Sequence, residues 1–482
     1  MRVRPRLVIA AYLVAIVVSA MTSLAQTQSA SKPNIVFILA DDLGWTDLAC
    51  FNSPLYETPA LDRLAREGMK FTQNYSACTV CSPTRASILT GKYPGRLHIT
   101  DWIPGQMPVN PKMLVPDWTK YLPLEETTIA DTLRAAGYAT ACIGKWHLGD
   151  QPYYPEHHGF DLNIAGTSAS NPTTYFAPWK IPTLQPEGKP GDYLTDRLGD
   201  EALKFIERSK DRPFFLYFAH FAVHTPIQGR EDLVEKYRRK NKRNLAQRNP
   251  AYAAMAEDMD MTVGRVRDKL KELNLSEKTI IIFASDNGGR IPTTSNLPLR
   301  AGKGSAYEGG TRVPLIVYWP GVTQPNSTNS TPVMSIDYYP TLLAMASVPD
   351  KPAHTPDGVS LVPLLRQSGE LESRPLFWHY PHHQHYQQGG AMPYGAIRDG
   401  DFKLIEFFDD MRVELYNLKD DLSEQHDLAA QLPDKTNQLR DKLHAWRKQV
   451  DAQMPTPNPD YDPNKPQFDP ANPSGKPPTT KP

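Results

Sequence analysis

The sequence predicts an α/β fold: one large, mostly parallel, doubly wound sheet flanked by helices, joined to a small C-terminal antiparallel sheet with a helix. Three observations lead there. Continuous apolar runs recur at residues 34–40 (NIVFILA), 213–219 (PFFLYFA), 279–284 (TIIIFA) and 314–318 (PLIVY), the pattern of strands covered on both faces. Amphipathic stretches of helical period lie between these runs. Beyond about residue 366 the pattern changes to short strands separated by tight turns.

The N-terminal segment stands outside that fold. Arg2, Arg4 and Arg6 precede an apolar stretch at 7–20, and Ser23-Leu24-Ala25 is small at the two positions a signal peptidase reads. Residues 1–25 are therefore expected to be an export signal, giving a periplasmic or secreted protein with no stable membrane insertion after cleavage. The apolar stretch is short for a span, and Cys50, the first cysteine, lies too far on to anchor a lipid there. Cleavage removes three positive charges from a balanced 53 and 53, leaving a net of −3 that gives no support to nucleic acid or an anionic membrane as partner.

Residues 33–365 are expected to form the main domain and 366–451 the smaller one. After the strand at 34–40, residues 58–68 read as a helix that starts at Thr58 and stops at Gly68. Pro83 suits a first helical turn and Gly91 a stop, so a short helix is expected around 81–90. A second Thr-to-Gly helix at 127–137 leads to a strand at 139–143, and longer periodic stretches at 192–209 and 251–273 precede the next two strands. In the C-terminal part, 394–407 and 411–418 read as strands with turns at Asp399-Gly400 and Asp409-Asp410, followed by a helix at 434–450. Residues 452–482 hold ten prolines and very few large apolar residues, so this tail is expected to be disordered.

Chemistry enters at Cys81-Ser82-Pro83-Thr84-Arg85. Cys81 falls at the positive end of the short helix, where free N–H groups favour an anion, and Arg85 one turn on adds a forked permanent charge. Alone, such a cysteine is more often a buried thiol, so the pattern needs companions. Cys50, Cys78, Cys81 and Cys142 are too few for a disulfide framework.

Companions stand at the strand ends, where ligands bind in such sheets. The first strand ends in Asp41-Asp42, and the run at 279–284 leads to Asp286-Asn287-Gly288-Gly289. Each pair alone is more often an ordinary turn or helix cap than a metal site. Together they offer hard oxygen ligands suited to Ca²⁺ or Mg²⁺ rather than zinc. Gly144-Lys145-Trp146-His147, if extended, turns Lys145 and His147 to one side. His224 follows the strand at 213–219, and Lys303 lies between Gly302 and Gly304.

This combination of motifs resembles the type I, formylglycine-dependent sulfatases of the alkaline phosphatase superfamily, over roughly residues 33–428. The resemblance implies that Cys81 is oxidised to formylglycine by a maturation enzyme of the host, and that the aldehyde hydrate attacks a sulfate monoester through a covalent sulfated intermediate. It implies that Asp41, Asp42, Asp286, Asn287 and the residue at Cys81 hold one divalent ion, expected to be calcium. By the same likeness Asp286 accepts the attacking proton, and Arg85, Lys145 and Lys303 neutralise the sulfuryl oxygens. His224, alone or together with Lys303, protonates the leaving oxygen, and His147 drives sulfate off.

Residues 378–386 hold four of the thirteen histidines, interleaved with aromatics. They read as an aromatic wall for a sugar, a zinc site or an inconsequential loop. Zinc fits least because no cysteine or carboxylate is interleaved. His383, His385 and Arg398 are the candidate substrate contacts, with the loop at 287–300 completing the pocket. The likeness extends to exported bacterial carbohydrate sulfatases, some acting on galactose or N-acetylgalactosamine 4-sulfate. Rival expectations are a phosphoester or phosphonate hydrolase of the same superfamily and an inactive sugar-binding relative.

Overall fold

The computed structural model describes residues 32–240, 247–351, 353–386 and 391–472. The expected signal at 1–25 lies outside the described residues.

Asn34–Ala40 is a fully buried central strand, flanked in parallel by Phe214–Ala219 on one side and Thr279–Ser285 on the other. The eight-stranded sheet continues past Phe214–Ala219 through Ala139–Gly144 to Leu162–Ile164, all parallel. On the opposite side come Leu315–Tyr318, Met69–Phe71 and Ser327–Asn329. Leu315–Tyr318 runs antiparallel to both its neighbours, so the sheet is mixed and mostly parallel. A strand's apolar run records burial on two faces and carries no information on direction.

Helices cover both faces, and two apolar cores result, one on each side of the sheet. The helices begin where local chemistry starts them. Thr128 and Asp131 form a reciprocal capping box at Ile129–Ala135, and Asn249 accepts from the N–H groups of Ala251 and Tyr252 at the start of Pro250–Glu272.

Leu376–Tyr380, Tyr394–Asp399, Phe402–Phe407 and Val413–Asn417 form the small antiparallel sheet, in chain order. Helix Pro433–Gln449 packs on it through Leu439, Leu443 and Trp446, the last stacked on Phe377 at 4.7 Å between ring centres. A third core joins this sheet to residues 75–80, which lead into the Cys81 helix, and Trp378 Nε1 donates to Ser76 O at 2.8 Å.

The expectation of a disordered tail is corrected for residues 452–472. Thr456-Pro457 pairs with Met113-Leu114, and Asn110 Nδ2 donates to the carbonyls of Asp462 and Lys465 at 2.8 and 3.0 Å. Composition rules out a packed core here, but backbone groups still find partners along an edge. Residues 473–482 lie outside the described residues.

Candidate active site

Three parallel strands deliver the first charges. Asp41 and Asp42 leave Asn34–Ala40, Asp286 and Asn287 leave Thr279–Ser285, and Lys145 leaves Ala139–Gly144. Gly144 makes the last exit feasible: its φ is +107°, and a Cβ there would stand 1.8 Å from Ala219 O. That carbonyl accepts from Lys145 N at 2.7 Å, which aims the lysine across the strand ends. His147 follows with φ +61°, so the segment is bent rather than extended. Both residues nevertheless reach the site.

Helix Cys81–Thr90 is buried along its whole length, starts at Cys81 and stops at Gly91, whose φ is +71°. Its N-cap, Val80, supplies no side-chain acceptor, so the first-turn N–H groups keep their positive character toward the site. Cys81 Sγ lies 3.6 Å from Asp41 Oδ1 and 3.4 Å from Lys303 Nζ. One turn on, Arg85 grips Asp286 Oδ2 through Nε at 3.0 Å and Nη2 at 2.8 Å, and donates to Lys145 O at 3.1 Å.

The remaining cations are also matched to carboxylates. Lys145 Nζ meets Asp41 Oδ2 at 2.7 Å, and Lys303 Nζ meets Asp42 Oδ1 at 2.5 Å. Asn287 Nδ2 donates to the same Asp42 oxygen at 2.8 Å. Burial alone would raise the Asp42 carboxyl, but Lys303, His224 and Lys145 together hold it well below the usual range. Asp286 goes the other way, to about 6, because burial and the nearby Asp41 charge outweigh Arg85. Burial pushes the Cys81 thiol up to about 12 despite Lys145 and Lys303, with Asp41 and Asp286 adding to the rise. As a cysteine, it is a protonated and poor nucleophile at neutral pH.

The two histidines are set by carbonyls, which can only accept. Ile103 O lies 2.5 Å from His147 Nε2, so that nitrogen carries the proton. Nδ1 is left as a buried acceptor with no hydrogen-bond partner among the described residues. Burial and the adjacent Lys145 charge keep this ring neutral. Thr225 O lies 3.0 Å from His224 Nδ1, and His224 Nε2 faces Asp42 Oδ2 at 3.6 Å. Burial lowers His224 to about 3 in the free site, against the pull of Asp42.

Metal-ligating atoms of Asp41, Asp42, Cys81 and His224 lie within 4.8 Å of one another. Asn287 Oδ1 is buried with no hydrogen-bond partner among the described residues, an oxygen placed beside that carboxylate pair. Carboxylate and amide oxygens with one orphaned acceptor fit a hard divalent cation. Among the described residues Asp286 Oδ1 accepts only from Asp42 N, at 3.2 Å, and so retains capacity for it.

A cavity of about 240 Å³ opens over these groups, lined by Cys81, His147, His224 and Lys303 and completed by Trp102, Ser170, Asn171, Thr225, Arg290, His385 and Tyr386. Among the expected substrate contacts only His385 lines it. His383 is buried elsewhere, its Nε2 3.6 Å from Asp409. Arg398 lies in the small sheet and spends its donors on Tyr75, Gln73 and Gly400 O. The histidine-rich segment begins as the strand Leu376–Tyr380, which turns His379 to Gln453 O, and His382 pairs with Thr100 Oγ1 at 2.8 Å. Among the described residues these histidines form no metal-ligand group. Trp102, Ser170 and Asn171 were missed because loops far apart in sequence bring them in; an aromatic in a loop is the only signal that could have marked one of them.

A helix start, two histidines and Lys303 facing one cavity, with oxygen ligands and further matched cations packed against them, suit the hydrolysis of a tetrahedral oxyanion ester. Comparison with known proteins narrows the class. The sulfatase family pattern matches residues 33–348, and an N-sulphoglucosamine sulphohydrolase C-terminal pattern matches 302–452. This chain belongs to the sulfatase family: it is a type I sulfatase of the alkaline phosphatase superfamily, a sulfuric ester hydrolase. It is 36% identical over 477 residues to a sulfatase of Formosa agariphila, covering 83% of this chain and 85% of that one. Human arylsulfatase A is 36% identical over 408 residues, covering 78% and 75%. Among solved structures, Ps i-CgsB in complex with k-i-k-neocarrahexaose superimposes with a TM-score of 0.75 at 29% identity, covering 88% of this chain and 94% of that one.

Proposed function

We propose that this sulfatase removes sulfate from a carbohydrate, with galactose or N-acetylgalactosamine 4-sulfate as the first sugars to try. The oligosaccharide complex of Ps i-CgsB supports a sugar substrate. Formylglycine made from Cys81 by a maturation enzyme supplies a hydrated aldehyde as the nucleophile. A calcium ion held by Asp41, Asp42, Asp286 and Asn287 supplies positive charge that lowers the pKa of that nucleophile.

The chain's own groups fit the remaining work. Asp286, whose Oδ1 takes a contact from Asp42 N and whose Oδ2 is held by Arg85, is placed to accept the proton of the attacking hydroxyl. Arg85, Lys145 and Lys303 face the sulfuryl oxygens and need not move to stabilise them. Lys303 keeps its proton under the influence of Asp42, and the charge of an arriving ester raises His224, so either can protonate the departing sugar oxygen. The free Nδ1 of neutral His147 is the acceptor for the proton whose removal expels sulfate.

The observation that carries this proposal is the Cys81 environment: Sγ stands at a helix start, 3.6 Å from Asp41 Oδ1 and 3.4 Å from Lys303 Nζ and within the group of metal-ligating atoms, where an oxidised side chain would meet both ion and ester. No helix among the described residues is long and apolar enough to cross a membrane, and the first 25 residues support export. Peptide mass at position 81, together with sulfate release from sulfated mono- and disaccharides, tests the proposal. Native protein with an unmodified Cys81 would defeat the formylglycine assignment. Faster hydrolysis of an aryl phosphate than of its matched aryl sulfate would defeat the choice of ester.

A further inference from the structure

We propose that Arg290 reads a second anionic group on the substrate, a further sulfate or a carboxylate, carried by the sugar that bears the scissile sulfate or by its neighbour. The inference rests on the sulfated-carbohydrate proposal and extends it to a doubly charged substrate.

Each cation proposed to act on the sulfuryl group already has a carboxylate: Arg85 has Asp286 at 2.8 Å, Lys145 has Asp41 at 2.7 Å and Lys303 has Asp42 at 2.5 Å. Arg290 lines the same cavity and stands apart. Among the described residues no carboxylate pairs with it, and its Nε is buried with no hydrogen-bond partner. A permanent charge with a buried, unused donor at a substrate cavity calls for an anion from the ligand.

Its position is also fixed. The guanidinium stands over the Tyr386 ring, 5.6 Å from the centroid. That ring lies against Gly304, whose φ is +85° and where a Cβ would sit 2.3 Å from Tyr386 Cδ2. Gly304 follows Lys303 directly, so Tyr386 ties the fork of Arg290 to the lysine that faces the sulfuryl group. A held planar fork suits the paired oxygens of a sulfate or carboxylate, whereas a sugar hydroxyl makes no use of the charge. At about 240 Å³ the cavity is smaller than the roughly 300–1,000 Å³ typical of drug-sized pockets, which keeps the second anion close to the first.

The test measures kcat and KM of matured full-length protein on four substrates. These are a sugar monosulfate, the same sugar with a second sulfate, a disaccharide joining that monosulfate to a uronate, and 4-nitrophenyl sulfate as reference. Native protein is expected to prefer one of the two doubly charged sugars over the monosulfate by about tenfold to a hundredfold, chiefly through KM. The preferred arm tells sulfate from carboxylate. Arg290→Ala should reduce that preference to about twofold or less, with Arg290→Lys, which keeps the charge and loses the fork, in between. Native protein that treats single and double anions alike overturns the proposal, as does an Arg290→Ala or Arg290→Lys variant that keeps the full preference. Turnover of 4-nitrophenyl sulfate with none of the sugars would instead remove the carbohydrate proposal on which this one rests.

Discussion

Removing Arg85 should expose how the site holds its charges. Arg85 is fully buried and donates through Nε to Asp286 and through Nη1 to Lys145 O, with Nη2 in ion-pair contact with Asp286 at 2.8 Å. In Arg85→Ala the Asp286 carboxylate loses its partner while Asp41 still repels it, and a buried charge stranded in this way costs about 3–5 kcal/mol. Unfolding entropy near 2.1 cal/mol/K per residue amounts to roughly 1 kcal/mol/K for 482 residues, so the melting temperature should fall by about 3–5 °C. Asp286→Asn leaves Arg85 only the longer contact of Nη2 to Asp41 Oδ1 at 3.7 Å, and should cost somewhat less. The double variant removes both charges and should lose clearly less than the two single losses combined. Thermal unfolding of chelator-treated protein, by calorimetry, measures all four forms without a bound ion. Additive losses, agreeing within about 0.5 kcal/mol, would refute the reasoning, because they would mean that Arg85 and Asp286 do not depend on each other.

Three further outcomes are expected. Cys81→Ala should abolish attack, whereas His147→Ala should release about one equivalent of alcohol per protein and then stall; a burst-free loss in both would contradict the role given to His147. Gly144→Ala should lower both the melting temperature and kcat, since the new Cβ meets Ala219 O at 1.8 Å in a left-handed conformation that alone costs about 1–2 kcal/mol; native values in both would refute it. Burial raises the Asp101 carboxyl from 3.8 to about 7, against hydrogen bonds from Tyr380 and Gln384, so the folded state binds that proton more tightly than the unfolded chain. The stability this supplies is complete below about pH 4 and is lost as pH rises through about 7, so Asp101→Asn should gain on the native protein over that window; a difference in melting temperature that stays flat from pH 4 to 8 would contradict it.

Much of the site was legible because its residues sit where strands end. A continuous apolar run such as NIVFILA marks a doubly covered strand, and the polar residues just beyond it must lie at the ligand edge of a parallel sheet. Hence Asp41, Asp42, Lys145, His224 and Asp286 meet although most are far apart in sequence. Leu315–Tyr318 was legible as a strand but not in its direction, since the connection decides that and the side chains do not. Met69–Phe71 and Ser327–Asn329 were hidden because three-residue strands have no room for a period. The strand Leu376–Tyr380 was masked by its histidine, whose partner, Gln453 O, belongs to the tail. Tertiary pairing, absent from any local pattern, overrode the polar look of both segments.

That tail has a consequence for the order in which the molecule is finished. Asn110 waits for Asp462 across 352 positions, and Met113-Leu114 for Thr456-Pro457 across a similar span. While the chain is threaded from its N-terminus, this edge stays open until nearly everything else has emerged, so closing it is among the last events of folding. A fusion or purification tag joined before residue 472 would interrupt that clasp, whereas one placed beyond it would leave the seam intact.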